Sequence, residues 1–394
     1  MNVSIPAKKQ QNYHLDIFKL LLKIKQKTTN FASKNFVLVI AATLALASCM
    51  VVKPDAKYVG YFDFKTLSCL FCTLAVICAL KNIRFFTITA KKIVTLTGNT
   101  RTLSLALVYI TFIGSMLIAN DMALLTFLPL GYYVLRKTRK EKYMAFTFIM
   151  QNIAANLGGM LTPFGNPQNL YLYSKFNIDN IEFVKIMAPP FIFAITLITI
   201  CCIVGVKPEP LEIKDEKSKL PPKRVALYLT LFALAIAIVF RGIPYWIGLI
   251  VIPLVLVFAD REALKKVDYP LLFTFVFFFI FAGNMARIEV VRGFFSFLLE
   301  KNTLLFSILS CQFISNVPSA ILLSQFTENY KDLLVGVNIG GVGTLISSLA
   351  SLITFREYTK RNPMMTGHYM KYFTLLNLFF LVALTGFMLV LKLF

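Results

Sequence analysis

The chain has 394 residues, 57% of them hydrophobic, and a mean hydropathy of +0.71, too apolar for a soluble protein that must present a polar surface. Lys and Arg number 41 against 19 Asp and Glu, a net charge of +22; all seven Cys lie in apolar stretches, and there are two His. Neither H-E-x-x-H nor G-x-x-x-x-G-K-S/T occurs, so a disulfide framework, a metallohydrolase and an ATP-driven pump lose their usual signatures.

Residues 1–35 place Leu15, Phe18 and Leu22 beside Lys19, Lys23 and Lys25, the pattern of a basic amphipathic helix on an anionic inner leaflet. This stretch is too long for a signal peptide, and Lys53 and Pro54 directly follow the first apolar run where a cleavage site would be needed. Runs able to cross a hydrocarbon core of roughly 30 Å lie near 36–52 and 66–81; Cys69 and Cys72 within the second are expected to be packing residues. The stretch 103–135 is interrupted by Asn120-Asp121, with Pro129 close by, and reads as a re-entrant hairpin. Crossings at 143–170 and 184–206 close a first unit over 36–206. A polar loop, 207–224, and a linking crossing at 225–240 fill 207–244. A second unit over 245–394 has crossings near 245–259, 270–286, 332–355 and 371–391, and a hairpin at 303–326 broken at Ser315-Asn316 beside Pro318. The fold class is thus an all-α polytopic membrane protein with nine crossings and two hairpins.

Loop charge tests this layout, because cytoplasmic loops carry the excess of Lys and Arg. The segments 1–35, 81–102, 136–142, 207–224, 260–269 and 356–371 hold thirty of the 41 basic residues, and the alternate segments hold eleven. The expected orientation has the amino terminus in the cytoplasm and the carboxyl terminus outside, in a bacterial-type plasma membrane. Membrane lipid is the expected partner of the basic loops. Nucleic acid is not, since the charge forms no single stripe.

An internal match stands out. Asn156-Leu-Gly158-Gly159-Met-Leu-Thr162 and Asn338-Ile-Gly340-Gly341-Val-Gly-Thr344 share N-x-G-G-x-x-T, each after a polar-tipped hairpin, and Asn166 and Asn169 fall opposite Ser348 and Ser351. The first hairpin is flanked by inside loops and the second by outside segments, so the units are expected to be inverted. That is the plan of an alternating-access transporter with its site near the midplane. Gly158, Gly159, Pro163, Gly165 and Pro167 can hardly continue a helix. Gly340, Gly341 and Gly343 argue less strongly, so a milder break is expected there. Irregular backbone at membrane depth survives only where it lines a polar cavity, and a broken helix offers carbonyls to a cation on one side and N–H groups to an anion on the other. Asp121 is the one acid inside an apolar hairpin, a functional group by default; its structural alternative is a pair with Arg136. Arg287 and Glu289 read as a structural ion pair.

The stretches Asn120-Asp121-x-x-x-x-Thr126, Asn156-x-Gly-Gly-x-x-Thr162-Pro163-x-Gly165-Asn166-Pro167-Gln168-Asn169-Leu170, Phe281-Ala-Gly-Asn284 and Ser315-Asn316-Val317-Pro318-Ser319 resemble the ion transporter superfamily. That group holds divalent anion:sodium symporters, citrate-type carriers, arsenite permeases and a branch of sodium/proton antiporters. The resemblance implies two hairpins entering from opposite faces, a mobile transport domain, a scaffold, often a homodimer, and elevator-like movement. In the divalent anion symporters each tip reads Ser-Asn-Thr; here the second has Val317 in third place, and the first keeps Asn120 between Ala119 and Asp121. For a substrate site the residues expected are Asn120, Thr126, Gly165, Asn166, Asn169, Asn316, Ser319, Thr344, Ser348 and Ser351. For a coupling ion they are Asp121, Asn120, Asn156, Gly158, Gly159, Thr162, Ser315, Asn316, Asn338, Gly340 and Gly341. No cofactor is expected beyond a sodium ion, and no enzymatic activity. The leading expectation is a secondary transporter of a small anion coupled to sodium or protons; a sodium/proton antiporter is second, and a channel or non-transporting scaffold third.

Overall fold

The computed structural model describes residues 35–211 and 219–393, with Gln26 alone before them; the basic amphipathic segment expected before residue 35 lies outside the described residues. Helices α1 (Phe36–Val51) and α2 (Phe64–Asn82) are followed by a short helix, α3 (Phe85–Val94). The first hairpin is α4 (Thr100–Ile118) and α5 (Asn120–Lys137). The first broken helix is α6 (Met144–Gly158) and α7 (Pro167–Lys175), then come α8 (Asn180–Gly205), α9 (Pro222–Val239), α10 (Tyr245–Ala259), α11 (Arg261–Lys265) and α12 (Tyr269–Ala286). The second hairpin is α13 (Glu289–Ile314) and α14 (Asn316–Leu323), the second broken helix α15 (Tyr330–Ile339) and α16 (Leu349–Arg361), and α17 (Thr366–Leu391) ends the fold.

Among the described residues seven helices are long and apolar enough to cross a membrane, with α1 and α10 as shorter apolar helices. The protein is an all-α polytopic integral membrane protein. Two of the seven, α4 and α13, turn back at a hairpin tip. Helix starts fall where short polar side chains take up free N–H groups. Asn99 forms a capping box on α4, Asp179 caps α8 several residues before its expected start at 184, and Asp63, Asp268 and Ser348 cap α2, α12 and α16. Pro129, close to the first tip in sequence, lies inside α5. The second hairpin begins earlier than expected, since α13 runs from Glu289 through a kink at Asn302 (φ −165°, ψ 92°). The amphipathic α3 inside the loop 81–102 was not anticipated.

Packing cuts across the two sequence units. Helix α6 is buried along nearly its whole length and packs on α4, just as α15 packs on α13. Around these lies the larger core. Helices α2, α9, α10 and α11 share a second, smaller apolar cluster, and α1 lies along α12. Cys69 and Cys72 are buried free thiols, as packing residues should be.

The ion pairs sort the loops into two groups. Glu209 meets Lys140 at 2.7 Å and Lys142 at 2.5 Å, and Asn82 donates to Asp260 at 3.0 Å. All of these lie in loops of the basic set. In the other set Arg287 meets Asp55 at 2.7 Å, Lys331 meets Glu182 at 2.9 Å and Lys392 meets Asp332 at 2.5 Å. None of the ion pairs among the described residues joins one set to the other.

Candidate functional site

The two hairpin tips are built alike. Helices α4 and α5 meet at Ala119 (φ 63°, ψ 151°), and α13 and α14 meet at Ser315 (φ 74°, ψ 159°), a region that glycine fills far more readily than other residues. In each case an Asn opens the return helix and its Oδ1 accepts the next backbone N–H. Asp121 N donates to Asn120 Oδ1 at 2.9 Å, and Val317 N donates to Asn316 Oδ1 at 2.9 Å.

The breaks match as well. Asn166 (φ −136°, ψ 141°) precedes α7, and Ser348 (φ −150°, ψ 143°) precedes α16. Thr162 Oγ1 donates to the Met116 carbonyl at 2.9 Å, and Thr344 Oγ1 to the Gln312 carbonyl at 3.0 Å; Met116 and Gln312 each lie three residues before a tip. Gly158 and Gly340 permit the same close approach: a Cβ at 340 would lie 2.8 Å from Cys311 Sγ, and one at 158 would lie 2.6 Å from Ser115 Oγ and collide with the Phe112 carbonyl. The second break is not the milder one. Residues 340–348 are non-helical and Gly343 sits at φ 130°, because a Cβ there would strike Gln312 and L-residues avoid that backbone region.

The two breaks then face each other. Asn166 Nδ2 donates to Asn338 Oδ1 at 3.2 Å, and Ser348 Oγ donates to Asn156 Oδ1 at 2.7 Å. These are the same two positions with the units exchanged, the pattern of contacts made across a two-fold axis. Asn120 Nδ2 joins the group by donating to Asn156 Oδ1 at 3.2 Å.

Both tips and the starts of both return half-helices line one cavity of about 50 Å³. Asn120, Asp121, Ser315, Asn316 and Val317 come from the tips, Pro167, Gln168, Ser348 and Leu349 from the breaks, and Val37, Leu271, Thr274 and Phe278 from α1 and α12. A volume of that size holds a water or two, or a small ion, at roughly 30 Å³ per water. Three buried oxygen acceptors at or beside it have no donor: Asp121 Oδ1, Asn166 Oδ1 and Gln168 Oε1. Acceptors buried without a donor where polar side chains of both tips converge suit a cation or a proton. Asp121 makes no pair with Arg136, which turns to the Tyr132 hydroxyl and ring.

Of the expected site residues, Asn120, Asp121, Ser315, Asn316 and Ser348 reach the cavity wall together. Asn156, Asn166 and Asn338 form the hydrogen-bonded layer behind them. The remainder hold the backbone. Asn169 Nδ2 donates to the carbonyls of Gly159, Met160 and Thr162, all within 3.3 Å, and its Oδ1 accepts from Asn338 at 2.6 Å. Thr126 bonds back to the Met122 carbonyl, Ser319 pairs with Ser310, and Ser351 accepts from Asn152. Gly159 and Gly165 sit where a Cβ would strike the opposite strand of the break, and Gly341 faces Asn316 Nδ2. Arg287 does form an ion pair, but its fork grips Asp55 and the Tyr61 hydroxyl rather than Glu289. That grip holds the Asp55 carboxyl below the usual carboxylate range.

Gln168 and Thr274 on the cavity wall were not singled out from sequence, nor was Gln312, whose amide bonds the Gly340 and Val342 carbonyls at 2.9 and 3.3 Å. Gln168 lies in the motif already quoted, and its place directly after Pro167 in the first turn of α7 was the available signal. Gln312 aligns with Met116 and carries no such signal.

A helical membrane bundle whose two strained tips and two broken helices converge on one cavity that carries a buried carboxylate and amides is a membrane transporter in design. The comparisons agree: a family model described as a citrate transporter matches residues 24–330, and the chain belongs to that family. It is similar to the uncharacterized transporter MJ0456 of Methanocaldococcus jannaschii, 32% identical over 323 residues that cover 82% of this chain and 88% of that protein. It is also similar to the inner membrane protein YbiR of Escherichia coli, 29% identical over 286 residues, or 70% of this chain and 75% of that protein.

Proposed function

We propose that this protein is a secondary transporter of a small organic anion, coupled to a proton or sodium ion at Asp121, that works by alternating access between two inverted units. The observation that carries this reading is the shared cavity, in which a carboxylate with an unpartnered buried oxygen sits among amides from both tips. An anion entering beside Asp121 is repelled unless that carboxylate binds a proton or cation first, so the two ligands bind in concert. Asn120, Asn316, Ser348 and the N-terminal ends of α7 and α16 then face the anion, and the positive dipole ends of those half-helices favour it. The exchanged contacts Asn166–Asn338 and Ser348–Asn156 support the two-fold relation of the units. The excess of basic residues in one loop set supports a plasma-membrane orientation with residues 136–142 in the cytoplasm and residues 53–65 outside.

The test is thermal stability of the detergent-purified protein in sodium or potassium at several pH values, with candidate carboxylates added singly, since a ligand of the folded state raises its stability. Stabilisation by a carboxylate that requires sodium or low pH, and is lost in Asp121→Asn, is the expected result. A second reading, sodium/proton antiport, is favoured by the small volume of the polar cavity. It predicts stabilisation by sodium alone that weakens as pH falls. A channel or inert scaffold predicts that neither Asp121→Asn nor Asn316→Ala changes transport.

A further inference from the structure

Beside the polar cavity lies a second chamber of about 550 Å³, within the size range of small-molecule sites. The two adjoin, with Val37, Phe278, Ser315, Pro318 and Leu349 in the walls of both. The walls of the larger chamber are otherwise almost wholly apolar: Phe281 of α12, Phe306 and Leu309 of α13 and Leu352 of α16 are typical, and its polar side chains are Ser310 and Ser315. Ser310 is occupied with Ser319, and Ser315 sits at the tip, where the chamber meets Asn316. At this junction the third tip residue is Val317, whose apolar side chain adds no donor. A polyanion cannot use such a space, since each charge placed against the apolar wall would lose its hydration without compensation. A molecule with one anionic head and a hydrocarbon or aromatic tail fits both compartments.

We propose that the transported anion is amphipathic: a monocarboxylate whose head occupies the cavity at Asn120, Asn316 and Ser348 and whose apolar tail fills the chamber between α1, α12 and the second hairpin. This rests on the anion-transporter reading of the polar cavity and specifies its substrate class. Charge complementarity selects this occupant over a bilayer acyl chain, for the apolar space ends on amides and half-helix N-termini that hydrocarbon cannot use.

The experiment is a binding series on the purified protein, using straight-chain monocarboxylates of increasing length below their micellar concentrations. The primary alcohols of equal length and citrate serve as comparisons. Affinity is expected to rise about fourfold per methylene, the equivalent of about 0.8 kcal/mol each, with the alcohols much weaker and citrate inert. Leu309→Trp, which fills the chamber from a lipid-facing position, is expected to abolish the gain from chain length while leaving binding of the shortest carboxylate unchanged. Asn316→Ala is expected to weaken the whole series. Carboxylates bound with no dependence on length, or strong citrate binding, would overturn the amphipathic substrate and leave the transporter site standing. Alcohols that match the carboxylates would overturn the proposal by showing an acyl-lipid crevice. No effect of sodium, pH or any carboxylate would instead remove the underlying anion reading.

Discussion

Ala119 and Ser315 show what two single residues do here. Each occupies a backbone region that is nearly exclusive to glycine, at a cost on the order of 1–3 kcal/mol. The reward is a reversal within one residue that aims the following Asn at the cavity. Ala119→Gly should therefore raise thermal stability, by about 1 kcal/mol after allowing for glycine's greater freedom in the unfolded chain; a lowered melting temperature would show that the tip is not strained. Asn169 and Asp121 make the opposite contrast. Asn169→Leu strips donors from three buried carbonyls and should destabilise the purified protein by about 1–3 kcal/mol. Asp121→Asn removes an acid whose buried oxygen has no partner, so the melting temperature should hold or rise while transport into proteoliposomes is lost. If both substitutions lower stability equally, the division between staple and site is wrong. Sequence singled out Asp121 as an intramembrane acid but placed Asn169 among the substrate ligands, because an amide in an apolar run can bridge backbone or meet a ligand equally well.

Glu209 links helices that sequence treats as separate. It lies in the segment after α8, and it accepts from Lys140, Lys142 and the Tyr143 hydroxyl at the base of the first hairpin, while its backbone meets Thr100 at the start of α4. The hydrogen bond from Lys140 first, then those from Lys142 and Tyr143, hold its carboxyl down to about 2 from an ordinary 4.5. A carboxylate with a depressed folded-state pKa adds stability above its unfolded value and loses it as pH falls through the folded one. Wild type should thus lose its stability advantage over Glu209→Gln between about pH 4.5 and pH 2. Parallel melting curves for the two proteins across that window would show that the clamp contributes nothing. Hairpins and broken helices themselves were legible, since Asn-Asp and Ser-Asn in apolar runs and Gly with Pro in mid-span have few other uses. The depth of the second break was not, because Gly343 and Gln312 act on each other only after α13 and α15 have packed together.

The assembled molecule sorts its charged loops into two sets joined by no ion pair among the described residues. This agrees with the alternation read from Lys and Arg, and it supplies a direct test of sidedness. Single cysteines placed at Lys142 and at Lys53, in a background without the seven native Cys, should react with a membrane-impermeant reagent from opposite sides, the former in inverted vesicles and the latter in intact cells. Reaction of both from one side would refute the proposed layout. The packing units could not be seen in the sequence halves. Helices α1 and α2 join α9 to α12 around the hairpin-bearing core, a pairing of distant segments that no local pattern encodes.

Hydropathy is a sum over neighbouring residues, so the apolar runs, the two tips and the repeated Gly-rich breaks were all contained in the linear chain. The tertiary structure decided which of many chemically similar amides face the cavity and which hold the backbone around it. It also decided that Arg287 grips Asp55 and that an apolar chamber opens beside the polar one. Those outcomes depend on contacts between segments far apart in sequence, and an Asn or Ser side chain serves either purpose until its neighbours are fixed.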